Sequence, residues 1–360
     1  AMLRRSAAVV AFVAVVLAFM FPFQSQVLMF RSMVAFKKAQ QPAESACGRS
    51  ASLRAVEQIF RSNKLLPTDN TWASARKMMD GFPVMIPPNS DVVKQDVYVK
   101  NGPYPVKFVK CTPPNARKDR AILYFHGGGM MLGEPRHEFG GSDTLALESG
   151  ATTFSVDYRL LPDVTAEQSV SDMVTVYRWL LREGGYKPEH VIITGCSGGG
   201  MAALLSALQI VHSTLPNPAG VVSMSPGLGL ELLLDDPHSW KSLPSVKKET
   251  EEDMDALVDV AELTDEMLEV WLHDSNKPYV LNLLNNAKGL GKFRLQYGDH
   301  EMLTSINEIL GQHLKKQGVE LDIFVSHKCG HCYALLEALA PEGRGIVESN
   351  VKWMNQAWGN

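Results

Sequence analysis

From residue 121 onward the chain alternates between two hydrophobic patterns. Short, continuous apolar runs at 121–125, 153–158, 191–194, 221–224, 293–297 and 321–325 have the length of strands buried on both faces. Between them, 169–182, 201–210, 264–272 and 302–316 carry apolar residues at every third or fourth position, the period of an amphipathic helix. Buried strands alternating with helices predict an α/β fold with a mostly parallel central sheet flanked by helices. On such sheets ligands bind beyond the carboxyl ends of the strands. Upstream, 97–99 and 106–109 predict two opening strands joined as a hairpin across Asn101-Gly102-Pro103.

Ahead of this core, Leu53, Val56, Ile59 and Phe60 repeat at helical spacing within 52–65, and Pro83, Pro87 and Pro88 punctuate the approach to the first strand. Residues 32–95 therefore read as an N-terminal helical or cap region, and 96–360 as one α/β domain. Within that domain, 229–286 is too long for a simple crossover and predicts a helical cap insertion carrying Trp240 and Trp271. Its charged run from Lys247 to Asp253 reads as a solvated loop or helix start.

The far N-terminus differs. Arg4 and Arg5 precede an uncharged apolar stretch, 7–23, and the next charge is Arg31. This predicts that 1–31 is an uncleaved signal anchor holding the protein on a membrane, the endoplasmic reticulum being one such membrane. The alternative is a cleaved signal and a secreted protein. Arg31, Lys37 and Lys38 on the second flank leave the orientation open.

The 360 residues are 45% hydrophobic and 21% charged, with a formal net charge of −4. That is enough for one large core, and no basic stripe points to nucleic acid. Five cysteines form an odd set without the rhythm of a disulfide framework.

The chemistry concentrates at the ends of the predicted strands. Gly195-Cys196-Ser197-Gly198-Gly199 follows one strand and precedes a helix, the setting a nucleophile elbow requires. The turn is tight, so small residues must flank the serine. His126-Gly127-Gly128-Gly129 follows another strand, and its glycines let backbone N–H groups approach an oxyanion. Gly128, Gly129 and Gly198 are the expected donors. No lysine follows at a P-loop position, which weakens a phosphate-cradle reading. His126 itself reads as a brace for the loop. The base must reach Ser197, and His331 follows the strand at 321–325 through a short loop at the same sheet edge. Between them, Gly298-Asp299-His300-Glu301 offers two carboxylates to orient the imidazole. Glu301 is the first choice and Asp299 the alternative acid, with Asp299 otherwise read as a helix cap. Serine, acid, histidine is the chain order of this hydrolase arrangement.

With these motifs the chain resembles the hormone-sensitive-lipase family of α/β-hydrolase carboxylesterases, and in layout its membrane-anchored arylacetamide deacetylase type. Besides the HGGG and GxSxG pair, Asp157-Tyr158-Arg159-Leu160-Leu161-Pro162 is similar to the family's YRLAPE segment. Glu301-Met302-Leu303 followed by Gly318-Val319 matches the family's acid-x-Leu motif and closing Gly-Val, and His331-Cys332-Tyr333 stands where the family has His-Gly-Phe. The resemblance implies an α/β-hydrolase fold with a helical cap, attack by Ser197, and His331 and Glu301 as its partners. It also implies apolar ester substrates of short to medium acyl length, lipid-like or small, with no cofactor and no metal. Met130 and Met131 are expected to line the acyl pocket.

Departures are Cys196 where the family often has Asp, Glu301 where it usually has Asp, and Asp163 in place of the Glu of YRLAPE. Cys329 and Cys332 bracket His331 at CxxC spacing. They read as two ordinary thiols, or in a sharper alternative as an oxidised pair stiffening the loop. An amidase or deacetylase could use the same apparatus. Related receptors of the gibberellin type carry the fold without the catalytic histidine, and His331 is present here.

Overall fold

The computed structural model describes residues 50–61, 74–77, 88–227, 229–252 and 265–359. The anchor expected at 1–31 and much of the region expected at 32–95 lie outside them. Among the described residues no helix is long and apolar enough to cross a membrane.

Eight strands form one sheet: β1 (Val93–Asn101), β2 (Tyr104–Thr112), β3 (Ala121–Phe125), β4 (Thr152–Asp157), β5 (Val191–Cys196), β6 (Gly220–Met224), β7 (Phe293–Gly298) and β8 (Leu321–Ser326). Their order is β1-β2-β4-β3-β5-β6-β7-β8. The first two form an antiparallel hairpin in which Asn101 pairs with Tyr104, and β2 runs antiparallel to β4. All remaining pairs are parallel. The expected runs correspond to these strands to within one or two residues, apart from the longer opening hairpin.

The helices are α1 (Ala51–Arg61), α2 (Phe139–Ser149), α3 (Ala166–Arg182), α4 (Gly198–Val211), α5 (Pro244–Glu252), α6 (Asp265–Leu272), α7 (Lys277–Asn285), α8 (Thr304–Lys316) and α9 (Pro341–Ala357). Period-two alternation along the strands divides the core between the two sheet faces. From β3, Leu123 and Phe125 join α3, α4, α7 and α8 in one buried cluster. Its neighbours Ile122 and Tyr124 join Leu53 and Val56 of α1, Leu145 of α2 and Ile346 of α9 on the other. The start of α3 is held by a reciprocal cap, in which Thr165 Oγ1 accepts from Gln168 N and Gln168 Oε1 from Thr165 N.

The charged run read as loop or helix start lies largely in α5. Hydrogen bonds from Ser245 Oγ to Met302 O (2.6 Å) and from Ser305 N to Ser245 Oγ (3.1 Å) tie that helix to the loop after β7 and to the first turn of α8. Helices α2, α7 and α9 were not anticipated. Helix α2 carries Gly140 and Gly141 in its first turn, which masks its apolar stripe.

Candidate active site

At the end of β5 the backbone passes through Ser197 at φ 56° and ψ −124°, then enters α4. A non-glycine residue rarely takes a positive φ, and here the turn imposes it. Neighbours 191–196 and 198–200 are all buried, whereas Ser197 is partly exposed. Its N–H donates to Met224 O at the end of β6 (2.9 Å), fixing the elbow against the adjacent strand. A Cβ on Gly198 would overlap Gly129 N and come within 2.5 Å of Met130 N. The first residue of α4 is therefore pressed against the backbone of the glycine loop, and only glycine allows that approach.

The glycine loop turns back on itself. Gly128, at φ +100°, accepts at its carbonyl from Met131 N (2.9 Å) and Leu132 N (2.8 Å). Gly127 N donates instead to Glu138 Oε1 (2.7 Å), and Tyr124 Oη donates to Glu138 Oε2 (2.6 Å). The N–H groups of Gly127, Met131 and Leu132 are thus occupied, while Gly128 and Gly129 stay partly exposed. His126 is buried and stacks on Tyr158, with ring centroids 4.3 Å apart and planes inclined by 9°. Tyr158 Oη donates to His126 O (2.6 Å), and His126 Nδ1 lies 2.9 Å from Gly127 O. Burial pushes the His126 imidazole down to about 4. It is neutral near pH 7 and braces the loop, as its position suggested. Arg76 adds a clasp from outside, reaching Met131 O (3.0 Å), Leu161 O (2.7 Å) and Asp163 Oδ2 (2.6 Å).

His331 and Glu301 come together from separate loops. His331 Nδ1 lies 3.3 Å from Glu301 Oε2, with the side chains 5% and 0% exposed. The other carboxylate oxygen, Oε1, accepts from Asn307 Nδ2 of α8 (3.0 Å). Asp299 faces elsewhere: Oδ1 takes His300 Nδ1 (2.7 Å) and Lys328 N (2.6 Å), and Oδ2 takes His327 Nδ1 (2.6 Å). Although its partial burial acts upward, these bonds leave the Asp299 carboxyl below its usual range. On the remaining side, a Cβ on Gly227 would stand 3.5 Å from Ser197 Oγ, so the turn after β6 walls the serine. Met130 and Met131 are fully buried within the main core cluster.

The α/β-hydrolase fold family matches residues 122–335, more than half of the chain. The chain belongs to that family. This α/β hydrolase is 28% identical over 68% of its length to an acetyl-hydrolase of Streptomyces hygroscopicus, covering 78% of that protein. It is 34% identical to a lipase of Moraxella sp. over 29% of its own length, spanning only 25% of that relative. Among solved structures, a hormone-sensitive lipase from a metagenome library superposes with a TM-score of 0.68 at 26% identity, covering 85% of this chain and 98% of the other. These matches agree with the motif resemblance read from the sequence.

Three parts of the hydrolase site had no counterpart in the sequence reading. Asn307 is one, six residues past Glu301, where a helical turn brings it back to the carboxylate. The second is a disulfide between Cys196 and Cys332, with Cα atoms 6.1 Å apart across 136 residues of chain. It corrects both readings of the CxxC pair, since Cys332 bonds to Cys196 and Cys329 stays a buried thiol outside the disulfide, donating to His327 O (3.4 Å). Spacing along the chain cannot reveal a partner that only the sheet brings close.

The third is Glu138. Burial raises its carboxyl to about 7, against the hydrogen bonds from Tyr124 and Gly127 that favour the charged form. The folded chain thus holds this proton more tightly than the unfolded chain does. Its contribution to stability falls as pH rises from about 4.5 to about 7 and is level above. Glu138→Gln is expected to remove that part of the slope. Urea unfolding at pH 5 and pH 7.5 should show the wild type losing roughly 1–3 kcal/mol more than the variant over this interval.

Proposed function

We propose that this protein is a serine carboxylesterase that hydrolyses apolar esters of short to medium acyl length through an acyl-enzyme intermediate. It is a carboxylic ester hydrolase of the α/β-hydrolase fold. The observation that carries the finer reading is the buried contact between His331 Nδ1 and Glu301 Oε2 at the sheet edge where Ser197 sits at positive φ.

In this mechanism Ser197 Oγ attacks the ester carbonyl while His331 Nε2 takes its proton. Glu301 holds the imidazole with its remaining proton on Nδ1. The carbonyl oxygen becomes an oxyanion and accepts from the N–H groups of Gly128, Gly129 and Gly198. Collapse breaks the C–O bond, and His331 returns the proton to the departing alcohol. Water then repeats the sequence on the acyl-serine and releases the acid.

An amidase or deacetylase would use the same groups. The ester reading is preferred because the acetyl-hydrolase and lipase similarities concern hydrolytic enzymes named for acyl groups and lipids. The test is a p-nitrophenyl ester series from acetate to dodecanoate beside the matching p-nitroanilides. The expected result is a kcat/KM maximum below about ten acyl carbons and at least 100-fold lower rates on the anilides, on the scale of about 2.7 kcal/mol in the barrier. Equal or faster anilide hydrolysis would replace the esterase by an amidase. A folded protein inactive on both but binding an apolar acid would point to the receptor class.

A further inference from the structure

We propose that Cys196 and Cys332 are positioning residues, whose disulfide holds the nucleophile and the base in register. The proposal rests on the assignment of Ser197 and His331 made above. Cys196 immediately precedes Ser197 and Cys332 immediately follows His331, and the two sulfurs are bonded. Both residues are buried, at 0% and 4% exposure. The link therefore joins the two reactive side chains by the shortest covalent route between their loops.

The remaining ties show why such a link acts on geometry. The elbow is already held by Ser197 N on Met224 O (2.9 Å) and by Met201 N on Ser197 O (3.0 Å). The histidine loop is anchored on its upstream side by His300 N on Cys329 O (3.1 Å) and Lys328 N on Asp299 Oδ1 (2.6 Å). Downstream, Cys332 sits at φ 54°, and its N–H reaches Ser225 Oγ only at 3.5 Å. The disulfide fixes that downstream side to the rigid end of β5. Helix α1 supports the same loop from behind, where Tyr333 Oη donates to buried Glu57 Oε1 (2.6 Å). Positioning of this kind acts on turnover, because a displacement of about 1 Å between reacting groups can cost about 100-fold in rate.

The experiment uses the full chain, with Cys196→Ala/Cys332→Ala and Cys196→Ser/Cys332→Ser beside the wild type. Digestion of the wild type without reductant should yield one cross-linked peptide joining the two cysteines. Active sites are counted with a fluorophosphonate, and kcat and KM are expressed per counted site. The expected result is a fall in kcat of roughly 10–100-fold in both variants, with KM within about threefold and slower phosphonylation. Lower thermal stability is also expected, since closing a long loop restrains the unfolded chain.

An unchanged kcat per site, with only the melting temperature lowered, would make the bond a structural staple and overturn the proposal. So would recovery of the two cysteines as separate, unlinked peptides. Should both variants fail to fold, wild type reduced by a water-soluble phosphine supplies the same comparison. There water and the phosphine convert the disulfide to two thiols and a phosphine oxide. A kcat per site unchanged by that reduction would equally overturn the proposal. Failure of the esterase assignment is a different result, in which the wild type itself neither turns over esters nor reacts with the fluorophosphonate.

Discussion

Replacing His331 by alanine is expected to lower kcat on a p-nitrophenyl ester by about 10⁴–10⁶-fold, the scale seen when a member of such a triad is removed. The imidazole is the group assigned to take the proton of Ser197, and the hydroxyl is a weak nucleophile without it. Some catalysis should survive, because the glycine N–H groups and substrate binding do not depend on His331. The change also leaves buried Glu301 with the Asn307 amide but without its imidazole. A moderate loss of stability, about 1–3 kcal/mol, should accompany the loss of rate. Stopped assays with circular dichroism and urea unfolding on the same preparation separate the two effects. Near-normal turnover in the folded variant would move the base elsewhere.

Glu301→Gln is the second large effect, expected at about 10³–10⁴-fold in kcat with the fold retained. The direction follows from Asn307. Its amide donates to Oε1, so the oxygen of the introduced amide turns toward Asn307 and its NH₂ toward His331. An NH₂ facing Nδ1 demands that Nδ1 accept, which places the ring proton on Nε2. That nitrogen can then no longer take a proton from serine. Asp299→Asn is the control, since Asp299 is engaged by His300, His327 and Lys328. It should leave kcat within about fivefold of wild type, far from the 10³–10⁴-fold expected at Glu301. The opposite ranking of the two variants would exchange the roles of the carboxylates.

The parts legible in the sequence were those in which one local signal sufficed. Continuous apolar runs such as 121–125 and 191–194 marked central strands because both faces of the sheet are covered, leaving no polar alternation to misread. Gly195, Gly198 and Gly199 marked the elbow because a turn that tight excludes side chains. The acid was harder to assign because Asp299 and Glu301 lie two residues apart on one loop. Three-dimensional placement separates them, with Glu301 turned inward to His331 and Asp299 outward to two histidines.

What the sequence could not convey depends on contacts between distant segments. Glu138 meets Gly127 because α2 begins beside the glycine loop, and nothing near Glu138 in the chain announces it. Cys196 and Cys332 meet because β5 and the loop after β8 both end at the carboxyl edge of the sheet. The CxxC spacing drew attention to the neighbouring Cys329 instead. Helix α9 starts at a proline and carries Gly343 and Gly345 in its first turns, weakening the periodic signal on which helix recognition relies.

The most direct test of the account is covalent capture of Ser197. The full chain is incubated with a fluorophosphonate, digested and analysed by mass spectrometry, beside Ser197→Ala, with ester hydrolysis measured on both. The account predicts one phosphonyl group per chain, located on Ser197, with activity lost in step with labelling. The folded alanine variant should neither take the label nor hydrolyse ester above about 10⁻⁴ of the wild-type rate. Labelling at another residue, or turnover retained by folded Ser197→Ala, would contradict it.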